Sequence, residues 1–318
     1  MKKHLLLILI LAFALPGKAH ALGTCYPRVT SPITFTGVNP LTSGTYNTTA
    51  TLSITCSGLS LLNTSCFTLG GGTGGTNSSG QRLLPGPGNN TIPFQFFQDS
   101  GMTNPWPIGT PVHLGGIQLL DGTVNTTVYL QLYINQTTLP LGTYSSTFSS
   151  SDAMLVYGTL DIIFGGCNSL LGGSASTSFT VQTSLVKSCV LSAISSVNFG
   201  NITVSSLMAN VTAKGGLSVQ CTSTTPYQIG LDNGQGTGVT GPAARKMTGP
   251  LGATLTYGLY QDAAHSSVWG NTTGTGGNTQ GGTGSGNVTA YTVYGLMPPQ
   301  TTPAAGTYND TVTVTVTY

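Results

Sequence analysis

Glutamate is absent from this chain of 318 residues, and its seven acidic residues are all Asp. Charged residues make up only 5% of the sequence, whereas about 25% is typical of soluble domains. His is equally scarce, with four residues in total. Because Glu and His are common general acids and bases near neutral pH, few candidates for such catalysis remain, and the sequence predicts a protein that is not an enzyme.

Recognisable catalytic and ligand-binding motifs are lacking as well. His113 and His265 have no partner residue at a metal-ligand spacing, and the Asp residues form no recognisable glycosidase pair. The Gly-rich segments 70–75 and 271–287 carry no Gly-Lys-Ser/Thr, and no Gly-x-Ser-x-Gly motif precedes a predicted helix. We therefore expect no metal ion and no cofactor, and keep a secreted hydrolase with a spatially assembled triad as an alternative.

Net positive charge is lacking in the part of the chain that we expect to be exported. A short basic start, Met1–His4, is followed by an apolar run of 11 residues from Leu5 to Leu15 and by Ala19-His20-Ala21. This order predicts a secretory signal peptide over residues 1–21. Beyond it, six basic residues face seven Asp, a net charge of about −1, so binding to nucleic acid is not expected.

Cysteine is limited to six residues, but their positions reveal an internal repeat. The first copy contains, in order, Cys25, Leu-Ser-Ile-Thr-Cys56 and Gly142-Thr143-Tyr144. The second contains Cys189, Leu-Ser-Val-Gln-Cys221 and Gly306-Thr307-Tyr308. From the first Cys to the Gly-Thr-Tyr the separation is 117 residues in both copies, so the chain contains a duplicated domain.

All six Cys residues follow the signal peptide, and export favours disulfides over metal or redox chemistry. Cys189 and Cys221 are the two Cys residues of the second copy, so we expect them to pair with each other. By equivalence Cys25 pairs with Cys56. Cys66 and Cys167 are then left to form the third bridge.

Short runs of alternating apolar and polar residues recur along the chain, and a sustained period of 3.6 residues is absent. Runs at 128–134, 178–183 and 311–318 are rich in β-branched and aromatic residues and are separated by Gly, Pro and Asn. The pattern predicts an all-β protein with two tandem immunoglobulin-like β-sandwich domains. We expect the first sandwich over 22–183 and the second over 184–318.

The second copy is shorter than the first at its C-terminal end. About 40 residues follow Tyr144 within the first copy, but ten follow Tyr308. We therefore expect the second sandwich to lack its last strand and to accept a strand from another chain. The expected acceptor edge consists of Val312, Val314 and Val316. The alternative is a second sandwich that closes with fewer strands.

A donor strand requires an extension before the first strand of the domain. If cleavage follows Ala21, only Leu22–Thr24 precede Cys25, whereas a donor strand needs about a dozen residues. We therefore expect the chain to accept a strand without donating one. In a fibre built by strand donation, such a subunit occupies the tip.

Several of these motifs together resemble a known family. The order Cys, Leu-Ser-Val-x-Cys, Pro-x-x-Gly-Thr-Tyr over residues 189–318, with Val197-Asn198-Phe199-Gly200 after the first Cys, resembles the spore coat protein U domain family. Residues 22–183 match more loosely, with Ile33-Thr34-Phe35-Thr36-Gly37 in place of the Phe-Gly element. Two such domains behind a signal peptide resemble the tip adhesins of Csu-type archaic chaperone–usher pili. This resemblance implies an N-terminal adhesin-like domain over 22–183 and a C-terminal pilin-like domain over 184–318.

The resemblance implies a set of partners and a location. It implies a periplasmic chaperone that caps the incomplete domain, an outer-membrane usher, and an adjacent pilin whose N-terminal strand replaces the chaperone. It also implies export through the periplasm to the cell surface, a position at the pilus tip, and a role in biofilm formation.

Three apolar loops of the first domain are candidates for contact with a hydrophobic or host surface. Adjacent leucines stand between Gly, Ser and Asn, residues typical of exposed turns. The three loops are residues 57–63, 165–173 and 102–108. In an immunoglobulin-like sandwich the first two of these loops lie at the same end. The candidate contact residues are Leu59, Leu61, Leu62, Met102, Trp106, Ile108, Leu170 and Leu171.

Three other interpretations of these loops stay open. In the first interpretation, the leucines of these loops pack into the core of the domain. In the second, the protein is a sugar-binding adhesin that uses Asn side chains, Asp99, Asp121 and Trp106. In the third, it is a structural coat or matrix protein without a specific receptor.

Overall fold

The computed structural model describes residues 23–58, 64–114, 122–158, 167 and 172–318. The expected signal peptide, 1–21, lies outside the described residues. The described part is built from strands, as predicted, with single 3-10 turns at Pro87–Asn89, Ser150–Asp152, Ser206–Met208 and Pro250–Gly252. Within this part, no helix is long and apolar enough to cross a membrane.

The first domain contains the strands β1 to β12. Their bounds are β1 Thr24–Val29, β2 Ile33–Phe35, β3 Gly44–Ser57, β4 Thr64–Leu69, β5 Arg82–Pro85, β6 Thr91–Phe97, β7 Val112–His113, β8 Gly122–Ile134, β9 Thr143–Phe148, β10 Ala153–Gly158, β11 Gly172–Ser176 and β12 Phe179–Ser184. One sheet has the order β1-β3-β8-β6-β5. Facing it are the sheets β11-β10-β4-β7 and β2-β12-β9.

Alternation along these strands places one face of each sheet in a common core. In β8, Val128, Leu130 and Leu132 are buried, while the residues between them are half-buried. An aromatic cluster fills the centre, where the rings of Phe148 and Phe179 stack with centroids 4.9 Å apart. The period of two residues in the sequence therefore records which side chains enter the core.

The second domain contains the strands β13 to β20. Their bounds are β13 Cys189–Ser195, β14 Val211–Cys221, β15 Pro226–Leu231, β16 Arg245–Thr248, β17 Thr254–Tyr260, β18 Gln280–Thr283, β19 Val288–Met297 and β20 Val314–Thr317. The order β13-β14-β19-β17-β16 repeats that of the first large sheet, and β18-β15-β20 repeats β7-β4-β10. The duplication seen in the sequence is therefore a duplication of the strand order.

The link between the domains is short. Strand β12 ends at Ser184, and Leu185 is buried in the first core, two residues beyond the expected boundary at 183. The Ser188 carbonyl accepts a hydrogen bond from Thr222 N in the second domain. A second contact forms where Leu141 N donates to Ser223 O, at 3.4 Å.

All three expected disulfides are present, and none of the six Cys residues is free. Cys25–Cys56 and Cys189–Cys221 occupy equivalent positions between the first two strands of each domain, both with a Cα–Cα distance of 4.1 Å. Cys66–Cys167 has no counterpart in the second domain. It attaches Cys167 to β4 in the first domain.

Candidate strand-acceptor groove and distal pole

The last strand of the first domain, β12, lies between two other strands. It pairs in parallel with β2, where Val181 is opposite Ile33, and in antiparallel orientation with β9, where Val181 is opposite Ser146. Phe179 and Val181 are buried, and the Thr183 hydroxyl donates to Phe35 O at 3.0 Å. Strand β12 therefore closes the slot between β2 and β9 with its own chain.

The equivalent slot of the second domain is open in the described structure. The counterpart of β2 is 197–199 and that of β9 is 307–312, because Phe35 corresponds to Phe199 and Tyr144 to Tyr308. Neither stretch forms a strand. The last strand, β20, pairs with β15 as β10 pairs with β4. It is the counterpart of β10, so β11 and β12 have no equivalents among the described residues.

A groove of about 940 Å³ follows this open slot. Its floor is formed by side chains from both sheets and its two rims by the counterparts of β2 and β9. Apolar side chains on the rims and floor include Val197, Phe199, Leu207, Tyr257, Val293 and Val312. The groove therefore presents an apolar channel between two backbone stretches that form no strand, although Asn309 bridges to Thr248.

The three valines of the predicted acceptor edge have different positions in the structure. Val312 and Val314 line the groove, whereas Val316 is not among the lining residues and is opposite Ile229 in the β20–β15 pair. All three are partly buried against the second core. The open edge belongs to 307–312 and 197–199, because the terminal strand takes the place of β10 and not the place beside the missing strand.

One carboxylate lies in the groove. The Asp310 side chain accepts hydrogen bonds from Tyr257 Oη at 2.7 Å and from Gln235 N at 2.8 Å. Burial raises the pKa of Tyr257, and its hydrogen bond to Asp310 raises this pKa further. Tyr257 is therefore a neutral donor at physiological pH. Within the described chain, no group of three His, Cys, Asp or Glu side chains is placed to hold a metal ion.

The described strand ends that flank the predicted leucine loops lie at one pole of the first sandwich. Cys56 is opposite Gly122, Thr64 is opposite Gly158, and Gly158 is also opposite Gly172. These described strand ends flank the segments 59–63, 115–121 and 159–171. We call this end, marked by the strand ends 56–58, 64, 122, 158 and 172, the distal pole.

The distal pole points away from the second domain. Strand β3 runs from Gly44 to Ser57, and its 14 residues span about 45 Å. At the opposite end, Gly44 is opposite Ile134, and the loop after Ile134 contains Leu141, which contacts Ser223 of the second domain. The two ends of β3 therefore separate the distal pole from the domain contact.

The predicted contact residues have different placements. Leu59, Leu61, Leu62, Leu170 and Leu171 lie outside the described residues. Met102 is half-buried and Ile108 is 37% exposed. Ile108 bridges to Leu69, the end of β4 opposite Thr64, so this loop does not join the distal pole.

The structure corrects the expectation that Trp106 contacts a surface. Trp106 is 1% exposed, as is Trp269 in the second domain. The two tryptophans end equivalent loops. In the first, Asp99 accepts hydrogen bonds from Thr103 N and Asn104 N, and in the second Asp262 accepts them from Ser266 N and Ser267 N. Trp106 is thus a core residue of the repeated fold.

The same loop bears on the sugar-binding alternative. Hydrogen bonds from Asn104 and Thr103 lower the pKa of Asp99 and occupy both of its carboxylate oxygens. Asp121 lies outside the described residues. In the described structure, Asp99 and Trp106 stabilise a turn and a core and do not form a site for a ligand.

Comparison with known proteins places these features in a family. The Spore Coat Protein U domain matches the chain twice, over residues 12–150 and 175–315. The chain belongs to the Spore Coat Protein U domain family. The curated protein "Protein U" of Myxococcus xanthus is 35% identical to it over 130 residues, which cover 38% of this chain and 71% of that protein.

Solved structures with a similar arrangement include two tip adhesins. One is the chaperone–tip adhesin subunit pre-assembly complex CsuC–CsuE of Acinetobacter baumannii Csu pili, with 15% identity, coverage of 93% of this chain and 100% of that chain, and a TM-score of 0.49. The other is the CupB6 tip adhesin of Pseudomonas aeruginosa, with 11% identity, coverage of 93% and 94%, and a TM-score of 0.43.

The first Spore Coat Protein U match ends at residue 150, before β10. The strand that closes the first slot, β12, follows that match and lies within the second match, which begins at residue 175. In the second Spore Coat Protein U domain the match extends to residue 315, within β20. The two domains of this chain differ mainly in whether the chain itself adds the closing strand.

Two buried arginines in the Spore Coat Protein U domains were missed by the sequence analysis. Arg82 and Arg245 are fully buried at equivalent positions, and their guanidinium groups donate to backbone carbonyls that include those of Leu69 and Leu231. A signal existed, because each Arg precedes the Gly-Thr-Tyr of its copy by nearly the same interval. This interval does not by itself indicate burial, because an isolated Arg ordinarily lies at the surface.

Proposed function

We propose that this protein is the adhesive tip subunit of a chaperone–usher type pilus. Its second domain accepts a strand from a periplasmic chaperone, and later from an adjacent pilin subunit at the usher. Its first domain attaches to surfaces. One observation carries the proposal: the slot that β12 fills in the first domain is an open apolar groove in the second.

The first domain indicates what an occupant contributes. Phe179 and Val181 of β12 are 3% and 0% exposed, and burial of each such side chain stabilises the fold by about 1.5–3 kcal/mol. Strand β12 also pairs on both sides, with β2 and β9. An empty groove forgoes both contributions and exposes unpaired backbone edges, which favours association with another strand.

The distal pole supports the adhesive part of the proposal. The described strand ends that precede and follow the segments with Leu61-Leu62 and Leu170-Leu171 lie at the distal pole, away from the domain contact. The Cys66–Cys167 bridge joins Cys167 to β4. If four leucines leave water on contact, the gross gain is about 6–12 kcal/mol before losses of freedom.

The test is to supply the missing strand within the same chain. The exported chain is extended at its C-terminus by a flexible linker of about 20 residues, as many as separate β10 from β12, followed by a copy of 177–185. We expect the extended protein to be monomeric, with a higher thermal unfolding midpoint of the second domain. The parent chain is expected to aggregate or to bind added strands.

The matched control carries the same extension with Asp in place of the residues copied from Phe179 and Val181. It should behave like the parent, because charged side chains are not stabilised in an apolar groove. A parent chain whose second domain is monomeric and melts cooperatively at the same temperature as the extended form would show that no strand is missing.

A further inference from the structure

The slots of the two domains differ at one central residue. On the rim formed by β9, Ser146 faces Val181 of β12. The equivalent residue of the second domain is Asp310, two residues after Tyr308 as Ser146 is two residues after Tyr144. Packing supports this equivalence, because a Cβ on Gly72 would strike Ser146 Oγ and a Cβ on Gly234 would strike Asp310 Oδ2.

The surroundings of Asp310 place a charged acceptor against the occupant. Gln235 N and Thr311 N donate to Oδ1 of Asp310, and Tyr257 Oη donates to Oδ2. A carboxylate offers about four acceptor positions, so one position, on Oδ2, is left for an occupant. Asp310 is half-buried and lines the groove. A strand in the register of β12 would cover it with the side chain that corresponds to Val181.

An apolar side chain at that position removes water from the remaining acceptor position of Asp310 and offers no hydrogen bond in return. A hydroxyl or amide at the same position supplies that hydrogen bond. The first domain has no carboxylate at this position. Its Ser146 is neutral, and Ser146 Oγ accepts a hydrogen bond from Gly74 N at 3.1 Å.

We propose that Asp310 selects the occupant of the groove by requiring a hydrogen-bond-donating side chain at the position of Val181. The proposed function supplies the premise that a strand from another subunit fills the groove. Asp310 then also disfavours insertion of β12 from a second copy of this chain, because that strand carries Val181 there. The partner strand is thus apolar at alternate residues, with one Ser, Thr or Asn among them.

The test uses three peptides, two of which differ from the first by a single substitution. The first peptide reproduces residues 177–185, the second carries Val181→Thr, and the third carries Gln182→Thr, which places the hydroxyl on the outward face. Dissociation constants are measured by calorimetry on the exported chain. We expect the Val181→Thr peptide to bind about tenfold more tightly than the first peptide, because its hydroxyl bonds to a charged group. The third should differ less than about twofold.

Two variants of the protein complete the test. Asp310→Ser copies the first domain and should reduce the preference for the Val181→Thr peptide to less than about threefold, mainly by improving binding of the first peptide. Asp310→Asn keeps the size of the side chain and an acceptor for Tyr257, and should give an intermediate preference if the Ser variant does not fold.

The outcomes separate the two proposals. If both peptides bind the parent with equal affinity, the selection by Asp310 is wrong while strand acceptance stands. An unchanged preference in both Asp310 variants would also overturn it. If no peptide binds and the C-terminal extension has no effect, strand acceptance itself is wrong.

Discussion

Among the described charged residues of the first domain, Arg82 is the most deeply buried, with 0% exposure. Its Nε donates to Gly70 O at 2.7 Å and one Nη to Leu69 O at 2.8 Å, while the other Nη donates to Trp106 O at 3.1 Å. Burial lowers its pKa to about 10, so the guanidinium keeps its charge near neutral pH. Arg82 thus satisfies the backbone carbonyls where β4 ends and the Trp106 loop returns.

At the residue scale we predict that Arg82→Met destabilises the first domain by about 3 kcal/mol or more. Met preserves the apolar stem but leaves several buried carbonyls without donors, and each hydrogen bond from a charged group contributes about 1.5–3 kcal/mol. The measurement is chemical denaturation of the exported chain. Arg28→Met, at an exposed position of β1, is the control and should change the stability by less than about 0.5 kcal/mol.

At the scale of elements, β12 is the strand that distinguishes the two domains. Its burial alternates, with Phe179, Val181 and Thr183 inside and Thr180 and Gln182 half-buried. The inward residues meet both β2 and β9, so a single strand joins the beginning of the domain to its end. The first domain is complete because this strand belongs to the same chain.

We predict that Val181→Asp opens the first slot and gives the first domain the behaviour that we expect of the second. A carboxylate would enter a position of 0% exposure without a partner, at a cost of about 3 kcal/mol or more. Gln182→Asp, on the outward face of the same strand, should cost less than about 1 kcal/mol. Equal thermal midpoints for the two variants would show that β12 does not close the slot.

At the scale of the whole molecule, the two proposed activities lie in different domains. The groove belongs to the second domain, and the distal pole lies about one strand length, some 45 Å, beyond the contact between Leu141 and Ser223. The link through Leu185 and Ser188 is short and hydrogen-bonded on both sides. In the proposed fibre, this arrangement would let the first domain project away from the subunit that donates a strand to the second domain.

We predict that replacing Leu61, Leu62, Leu170 and Leu171 with Ser sharply reduces attachment of the fibres to polystyrene. Export, disulfide formation and incorporation should be unchanged if these residues contribute to attachment alone. Leu251→Ser in the second domain is the control, because Leu251 is fully exposed and lies away from the distal pole. It should leave attachment at the parental level.

Two other results would contradict the adhesive role of the leucines. Unfolding of the first domain in the Ser variant would show that they are core residues. Unchanged attachment would favour the sugar-binding interpretation, which inhibition by saturating monosaccharides then tests.

Much of the architecture was readable from the sequence because it is recorded in linear spacing. The disulfides followed from the separations of Cys residues in two copies, and the strands followed from alternation, since side chains on a strand point to opposite faces in turn. These features depend on neighbours along the chain or on the comparison of one copy with the other.

Only the tertiary structure decided which edge is open and which side chains are inside. Strand β20 pairs with β15, so the gap lies at 197–199 and 307–312, a choice that depends on pairing between distant segments. Trp106 was expected to contact a surface but is buried, and Arg82 is buried although an isolated Arg ordinarily lies at the surface. Such burial results from packing between segments that are far apart in sequence, and alternation within one strand does not contain that information.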